Sequence, residues 1–186
     1  KVEVHREFMS NHNHAQFSPV NASEFLVAQD QYRDPWSGRS THHILRTFVA
    51  DLAGSRYEHL TQGHPCSPFH GACHEWWIPD GRVGYIDYDR GAFIVDPATG
   101  HREHVWREPL CHAHCDRTAR FWCADESPYK WDRMPCKVLF FNAETGRRVE
   151  IFSALPPPPG NYWTTRTAYH IDPHPQFSPC GNWVVC

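Results

Sequence analysis

The segment Ile94-Val-Asp-Pro-Ala-Thr-Gly100-His-Arg102 decides the fold, because the chain contains it in three ungapped copies. The other two copies are Phe48-Val-Ala-Asp-Leu-Ala-Gly54-Ser-Arg56 and Phe140-Phe-Asn-Ala-Glu-Thr-Gly146-Arg-Arg148, and the three glycines are 46 residues apart both times. Each copy predicts a strand, a turn of Asp or Asn followed by Gly, and a second strand. Glycine supplies the positive φ that such a hairpin needs, and the Asp or Asn side chain caps the turn.

A second repeated element precedes these hairpins. It has an aromatic residue, a proline two residues later and then a polar turn, as in Phe17-Ser-Pro19, Trp77-Ile-Pro79 and Phe177-Ser-Pro179. A weaker copy runs from Cys115 to Cys123. Because proline fixes φ and cannot donate to a strand ladder, this element predicts strand, turn, strand.

Together the two elements form a unit of four short antiparallel strands, which in the clearest copy are 74–78, 82–88, 92–96 and 101–106. Four strands in about 40 to 50 residues are typical of a β-propeller blade. We therefore predict an all-β fold, a single partial β-propeller domain with blades at about 13–61, 74–106 and 113–154 and an incomplete one at 172–186. A β-sandwich also has many short strands, but it would not give a fixed 46-residue spacing. About three and a half blades favour part of a larger ring, which we take to have seven.

The composition excludes some classes of partner. The 186 residues carry 18 basic and 21 acidic side chains without a basic stripe, and the apolar runs are only a few residues long, so we expect neither nucleic acid nor a membrane as partner. Eight cysteines permit disulfides, but a propeller core needs no staples, which favours free thiols. We expect a cytoplasmic location, with the periplasm as the alternative, and leave the oligomeric state open.

Three histidines share one position in the repeat. Five residues before Pro19, Pro79 and Pro179 lie His14, His74 and His174, respectively. In the third blade Cys115 takes the place of the proline, so that Leu110 occupies the matching position. The first strand of a blade lines the central channel, and equivalent positions should therefore converge there, as a metal or acid–base site requires. The alternative is that each histidine only bonds to a neighbouring backbone group.

The segments His14-Ala-Gln-Phe-Ser-Pro19, His74-Glu-Trp-Trp-Ile-Pro-Asp-Gly81 and His174-Pro-Gln-Phe-Ser-Pro179 resemble the three histidine motifs of oligogalacturonate lyases. The resemblance implies cleavage of pectin-derived oligouronides by β-elimination with a bound divalent ion, Mn²⁺ first and Ca²⁺ or Zn²⁺ as alternatives. It implies that His74 and His174 are metal ligands and that His14 removes the C5 proton.

The resemblance breaks just before His174, where the family has a second histidine and, three residues earlier, a glutamine. This chain has Asp172 and Tyr169 in those places, with His170 between them. A carboxylate suits a hard divalent ion, so Asp172 and His170 remain candidate ligands. The alternatives are a propeller lyase for another uronate polysaccharide and a non-catalytic propeller that binds a protein or a glycan.

Lesser candidates flank these motifs. Trp76, Gln16 and Arg33 are candidate substrate contacts, an indole by stacking and a guanidinium by pairing with carboxylates. The alternatives are packing of Trp76 in the core between blades and solvent exposure of Arg33. The run Cys111-His112-Ala-His114-Cys115 looks like a zinc cluster, but zinc motifs space their ligands more widely, and alternation along a strand should place neighbours on opposite faces. We therefore do not expect a zinc site there.

Overall fold

A computed structural model describes residues 11–33, 40–42, 46–60, 72–88, 90–126, 137–152 and 173–186. All regular elements in these ranges are β-strands. The first sheet contains β1 Asn11–Phe17, β2 Glu24–Arg33, β3 Ser40–His42, β4 Thr47–Asp51 and β5 Tyr57–His59. The second contains β6 Ala72–Trp77, β7 Val83–Asp87, β8 Gly91–Val95 and β9 Arg102–Trp106. The third contains β10 Leu110–Cys115, β11 Phe121–Glu126, β12 Lys137–Asn142 and β13 Arg147–Phe152, and the last pair is β14 Gln176–Phe177 and β15 Val184–Val185.

Each sheet is an antiparallel meander in chain order, as a propeller blade requires. The orders are β1-β2-β4-β5, with β3 added to β2, then β6-β7-β8-β9, β10-β11-β12-β13 and β14-β15. The prediction of an all-β partial propeller is confirmed. The segment Asn21-Ala-Ser-Glu24 resembles a helix capping box, but it forms a turn, since β2 begins at Glu24 and pairs with β1 and β4.

The hairpin turns adopt the predicted backbone. Gly54, Gly100 and Gly146 have φ of 73°, 71° and 69°, so three residues 46 apart share one left-handed conformation. The capping side chains also behave as expected: Asp96 Oδ1 accepts from the Ala98 N–H at 2.8 Å and Asn142 Oδ1 accepts from the Glu144 N–H at 2.9 Å. The repeat therefore encodes the turn between the third and fourth strands.

The core lies between the blades rather than inside any one of them. One cluster packs the second blade against the third and includes Ile86, Trp106 and Trp122. Another packs the first blade against the second and includes Leu26 and Tyr85. All residues of β7 and β8 are buried, because both faces of the second blade are covered. This stacking brings β10 against both β6 and β14, so the first strands of three blades become neighbours.

Two further findings concern the described residues alone. Their six cysteines are free thiols, of which Cys73, Cys111, Cys115 and Cys123 are buried. None of the described residues forms a helix with the length and apolarity needed to cross a membrane.

Candidate metal centre

The turn after the first strand of each blade fixes which residues are equivalent. In the second, third and fourth blades the same bond closes this turn: Ile78 N–H to Arg82 O, Asp116 N–H to Phe121 O and Ser178 N–H to Trp183 O, at 2.8–2.9 Å. Arg117 is therefore the counterpart of Pro79 and Pro179. The expectation that Cys115 takes the place of the proline, with Leu110 at the histidine position, is wrong.

The equivalent residue in the third blade is His112, which lies five residues before Arg117. The pattern was hidden because this turn has neither proline nor glycine. Ala119 adopts the left-handed conformation there, with φ of 58°, where the neighbouring blades have Gly81 and Gly181. Four blades thus carry a histidine at one structural position, and sequence reasoning found three of them.

A β-bulge marks this position in β1, β6 and β10, the first strands of three blades. His14, His74 and His174 all have positive φ, of 53°, 49° and 46°. In β6 and β10 two residues face one on the partner strand, and in β10 the pair Cys111 and His112 faces Asp125. A bulge changes the direction of adjacent side chains, so strict alternation of faces fails here. The argument that Cys111 and His112 must lie on opposite faces is therefore wrong.

Three of the four imidazoles meet where β6, β10 and β14 come together. The ring centroids of His74 and His112 are 4.2 Å apart, those of His112 and His174 4.0 Å, and those of His74 and His174 6.1 Å. The predicted ligands His74 and His174 are thus in one cluster, with His112 between them. We call His74, His112, His174 and Cys111 the histidine cluster.

Asp125 on β11 holds two members of the cluster. Its side chain is fully buried and accepts from the backbone N–H of His112 at 2.7 Å, from Nδ1 of the same residue at 2.8 Å, and from the backbone N–H of His174 at 3.1 Å. Because Nδ1 of His112 donates its hydrogen to Asp125, the lone pair of the neutral ring lies on Nε2. A carboxylate behind a histidine in this way is the usual support of a metal-binding imidazole.

Tyr88 supports the other side of the cluster. Its hydroxyl lies 2.7 Å from Nε2 of His74 and also interacts with Cys111. Burial is the main cause that lowers the pKa of His74 to about 2, and repulsion from His112, Arg46, His174 and His14 acts in the same direction. His74 is therefore neutral at any ordinary pH, which is the form that binds a metal ion.

The donor atoms are close enough to share one cation. One ligand atom from each of His74, Cys111 and His112 lies within 4.8 Å of the other two, and Sγ of Cys111 is 3.8 Å from Nε2 of His112. The cluster offers nitrogen and sulfur, is largely buried and has its supporting carboxylate in place. These residues fit a divalent cation.

His14 lies apart from the cluster, at the edge of the first blade. Its Nδ1 is 3.3 Å from Nη2 of Arg46 and 3.6 Å from Oε1 of Glu75, whose carboxylate also pairs with Nε of Arg46 at 3.3 Å. Burial opposes ionisation of Glu75, but the His14 hydrogen bond and the Arg46 charge outweigh it and leave its pKa below the usual range. The half-exposed imidazole thus sits against a buried carboxylate.

The substrate candidates have mixed positions. Trp76 is 8 % exposed and packs on Trp122, with ring centroids 5.7 Å apart. Gln16 links the first two blades. Its side-chain Nε2 donates to the backbone carbonyl of Glu75 at 2.9 Å, and its backbone carbonyl accepts from Nε1 of Trp77 at 2.8 Å. Arg33 ends β2, but its side chain, like His170 and Asp172, lies outside the described residues.

A cavity of about 420 Å³ opens toward the carboxyl ends of the same inner strands. Its lining combines aromatic rings with one guanidinium and comes from three blades: Trp76, Trp77, His114, Arg117 and Phe177. Trp76 thus contributes to both the core and the cavity wall. The volume is in the range of about 300–1,000 Å³ that is usual for small-molecule sites.

Two solved structures have a similar fold. "Oligogalacturonate lyase in complex with manganese" matches 93% of this chain with a TM-score of 0.61 and 18% sequence identity, and "Crystal structure of puromycin hydrolase S511A mutant complexed with PGG" matches 80% with a TM-score of 0.50 and 15% identity. The matches cover 44% and 23% of those chains, so this chain spans less than half of either. At such identities the likeness shows the fold alone. No model of a protein family matches the sequence, and neither does any curated protein.

Proposed function

We propose that this propeller belongs to a polysaccharide lyase that cleaves oligogalacturonate, or a related uronate oligosaccharide, by metal-assisted β-elimination. The observation that carries the proposal is the meeting of three repeat-equivalent histidines from three blades, His74, His112 and His174, two of which bond to the buried carboxylate of Asp125. The resemblance of the histidine motifs to those of oligogalacturonate lyases and the fold shared with one such enzyme support the choice of reaction.

A bound divalent cation would neutralise the uronate carboxylate and stabilise the negative charge that develops on it when the neighbouring carbon loses its proton. His74 and His112 would hold this ion, the first kept neutral by burial and the second fixed in its tautomer by Asp125. The related structure contains manganese, and Mn²⁺ is the ion that the motif resemblance suggests.

His14 is the residue that we propose to accept the C5 proton. Its Nδ1 lies 3.3 Å from Nη2 of Arg46, which can only donate, and 3.6 Å from Oε1 of Glu75; a proton placed on Nδ1 would turn instead to the carboxylate, and Nε2 would then be able to accept. The carboxylate orients the ring and stabilises the imidazolium that forms, as general base catalysis requires.

The aromatic cavity supports a sugar substrate. Indole and phenyl faces suit the apolar faces of sugar rings, and Arg117 suits a second uronate carboxylate. The cavity and the histidine cluster both draw residues from β6 and β10, so we propose that one oligosaccharide reaches both.

The test uses the full-length protein, stripped of metal and reloaded with one divalent ion at a time. β-Elimination creates a carbon–carbon double bond conjugated to the carboxylate, so activity on oligogalacturonate appears as rising ultraviolet absorbance. We expect absorbance to rise only with metal present and to be abolished in His112→Ala. His101→Ala, at an exposed hairpin turn, is the matched control and should retain activity.

Two results would overturn the proposal. One is a metal-loaded protein that yields no unsaturated product from any uronate oligosaccharide. The other is product formation that survives His112→Ala, because the histidine cluster would then be unrelated to the reaction.

A further inference from the structure

We propose that Cys111 binds the metal ion together with His74 and His112, and that the site therefore selects Zn²⁺ over Mn²⁺. The inference concerns the same cluster as the proposed function and narrows its cofactor. It departs from the motif resemblance, which favours Mn²⁺ and assigns no role to a cysteine. It follows from the type of the donor atoms, from their geometry, and from the hydrogen bonds that already occupy the nearby carboxylate.

The sulfur and imidazole donors of this cluster are softer ligands than Mn²⁺ prefers. Thiolate and imidazole suit Zn²⁺, whereas Mn²⁺ prefers carboxylate, carbonyl and water oxygens, and Mn²⁺ stands at the weak end of the affinity order for sites of this type. The Cys111 side chain is 4 % exposed and lies among these imidazoles rather than in the apolar core between the blades. Its sulfur therefore lies next to imidazoles that could bind the same ion, and it has little access to solvent.

The distances are near those of a tetrahedral zinc site. With Zn–S of about 2.3 Å and Zn–N of about 2.0 Å, a tetrahedral angle puts sulfur about 3.5 Å from nitrogen and two nitrogens about 3.3 Å apart. Sγ of Cys111 and Nε2 of His112 are already 3.8 Å apart, and no pair in the group exceeds 4.8 Å. A contraction of at most about 1.5 Å would complete the site.

The β10 bulge is what makes this geometry available. Cys111 and His112 are adjacent in the chain and would diverge in a regular strand, but both face the single residue Asp125 across the bulge. Tyr88 lies at Nε2 of His74 and Asp125 at Nδ1 of His112, whose Nε2 faces Sγ of Cys111 at 3.8 Å. Both imidazoles thus have a supporting hydrogen bond.

The carboxylate at the cluster does not compete as a hard ligand. Asp125 already accepts three hydrogen bonds from His112 and His174, and its oxygens hold the ligands in place. Three protein ligands leave the fourth tetrahedral position for water or for a substrate oxygen, which is the arrangement of catalytic zinc sites. His174, stacked on His112 and exposed, borders that position.

The test measures metal selectivity and the sulfur ligand directly. Metal-free full-length protein is offered equimolar Zn²⁺ and Mn²⁺, and bound metal is quantified after removal of excess. We expect zinc to be retained in preference by about 100-fold or more. X-ray absorption at the zinc edge should show one sulfur neighbour, and Co²⁺ in place of zinc should give the charge-transfer absorption of a bound thiolate.

The matched variants are Cys111→Ala and Cys115→Ala, because both cysteines lie on β10 and both are 4 % exposed. Cys111→Ala should lose the cobalt–thiolate band and bind zinc at least about 10-fold more weakly, whereas Cys115→Ala should keep both properties. Preference for Mn²⁺, a zinc site with only nitrogen and oxygen neighbours, or an unchanged band in Cys111→Ala would each overturn the inference. The wild-type absorption spectrum decides the question even if Cys111→Ala does not fold.

The outcome is separable from that of the proposed function. A zinc–thiolate site in a protein that cleaves no uronate would refute the lyase proposal and support this inference. Metal-dependent cleavage with Mn²⁺ bound and no sulfur ligand would do the reverse.

Discussion

Asp125→Asn replaces a buried carboxylate by an amide of nearly the same shape, so it tests whether Asp125 positions the histidine cluster. The carboxylate accepts from three N–H groups: the His112 backbone on Oδ1, and the His112 ring and the His174 backbone on Oδ2. An amide has only one acceptor oxygen. In one orientation its NH₂ group meets the His112 backbone N–H, and in the other it meets both remaining donors.

The structure gives a magnitude for each effect. At least one buried N–H loses its acceptor, which costs about 1–3 kcal/mol of the free energy of unfolding. The negative charge behind His112 also disappears, and loss of such a supporting group lowers metal affinity by about 10- to 100-fold. That change corresponds to about 1.4–2.8 kcal/mol of binding free energy.

Two measurements check this prediction, a denaturant unfolding curve without metal and a metal titration of the folded protein. Asp116→Asn is the control, because Asp116 also accepts three bonds, from Thr118, Arg120 and Phe121, but in a turn away from the cluster. It should change stability and leave metal affinity as in the wild type. If folded Asp125→Asn binds metal as tightly as the wild type, Asp125 has no positioning role and the argument is refuted.

Three shorter predictions follow from other contacts. Glu75→Gln should lower the rate of product formation at least about 10-fold and leave metal affinity unchanged, because Glu75 supports His14 and not the cation. Steady-state rates and a metal titration check this, and an unchanged rate or a weakened metal affinity would contradict it. Gly84→Ala should lower the free energy of unfolding by about 1–3 kcal/mol, because a Cβ there would collide with the Trp76 indole; a variant as stable as the wild type would contradict the packing. Burial lowers the pKa of His59 to about 4 from 6.5, so the unfolded chain binds the proton first and stability should fall as pH drops from about 6.5 to 4; His59→Asn should flatten that slope in unfolding curves recorded across this range.

The blades were predictable because their turns depend on local chemistry. Gly54, Gly100 and Gly146 must adopt positive φ in each hairpin, and a residue required for its backbone keeps its spacing in a repeat. The assignment of strands in the second blade was close for the same reason, since prolines and glycines bound them on both sides. The strands expected at 74–78, 82–88, 92–96 and 101–106 lie within two residues of β6 to β9.

The third blade could not be aligned by the same signals. Its turn uses Asp116 as an acceptor for the Arg120 and Phe121 N–H groups, and Ala119 in place of glycine, so neither proline nor glycine marks it. Counting back from the start of the second strand of the blade would have located the histidine position. His112 lies nine residues before the start of β11, as His74 lies nine before the start of β7.

The role of Cys111 was beyond sequence reasoning for a different reason. A bulge is a property of two paired strands, and nothing in the run Cys111-His112-Ala113 specifies that both of its first residues will face Asp125. Alternation is the correct expectation for a regular strand, and it excluded the cluster. The structure was needed to show where the ladder breaks.

The strain at the bulges is an argument for function that does not depend on any relative. His14, His74 and His174 adopt a left-handed backbone that costs a non-glycine residue about 1–3 kcal/mol and persists only where the surroundings enforce it. If the bulge served the blade alone, glycine would meet the need without that cost, as Gly54 and Gly100 do in the hairpins. Histidine occupies the position in these three blades, and the fourth copy, His112, packs on two of them and shares Asp125 with His174. The cost of this backbone at His74 and His174, which meet in the cluster, favours a function of the cluster over a purely structural role.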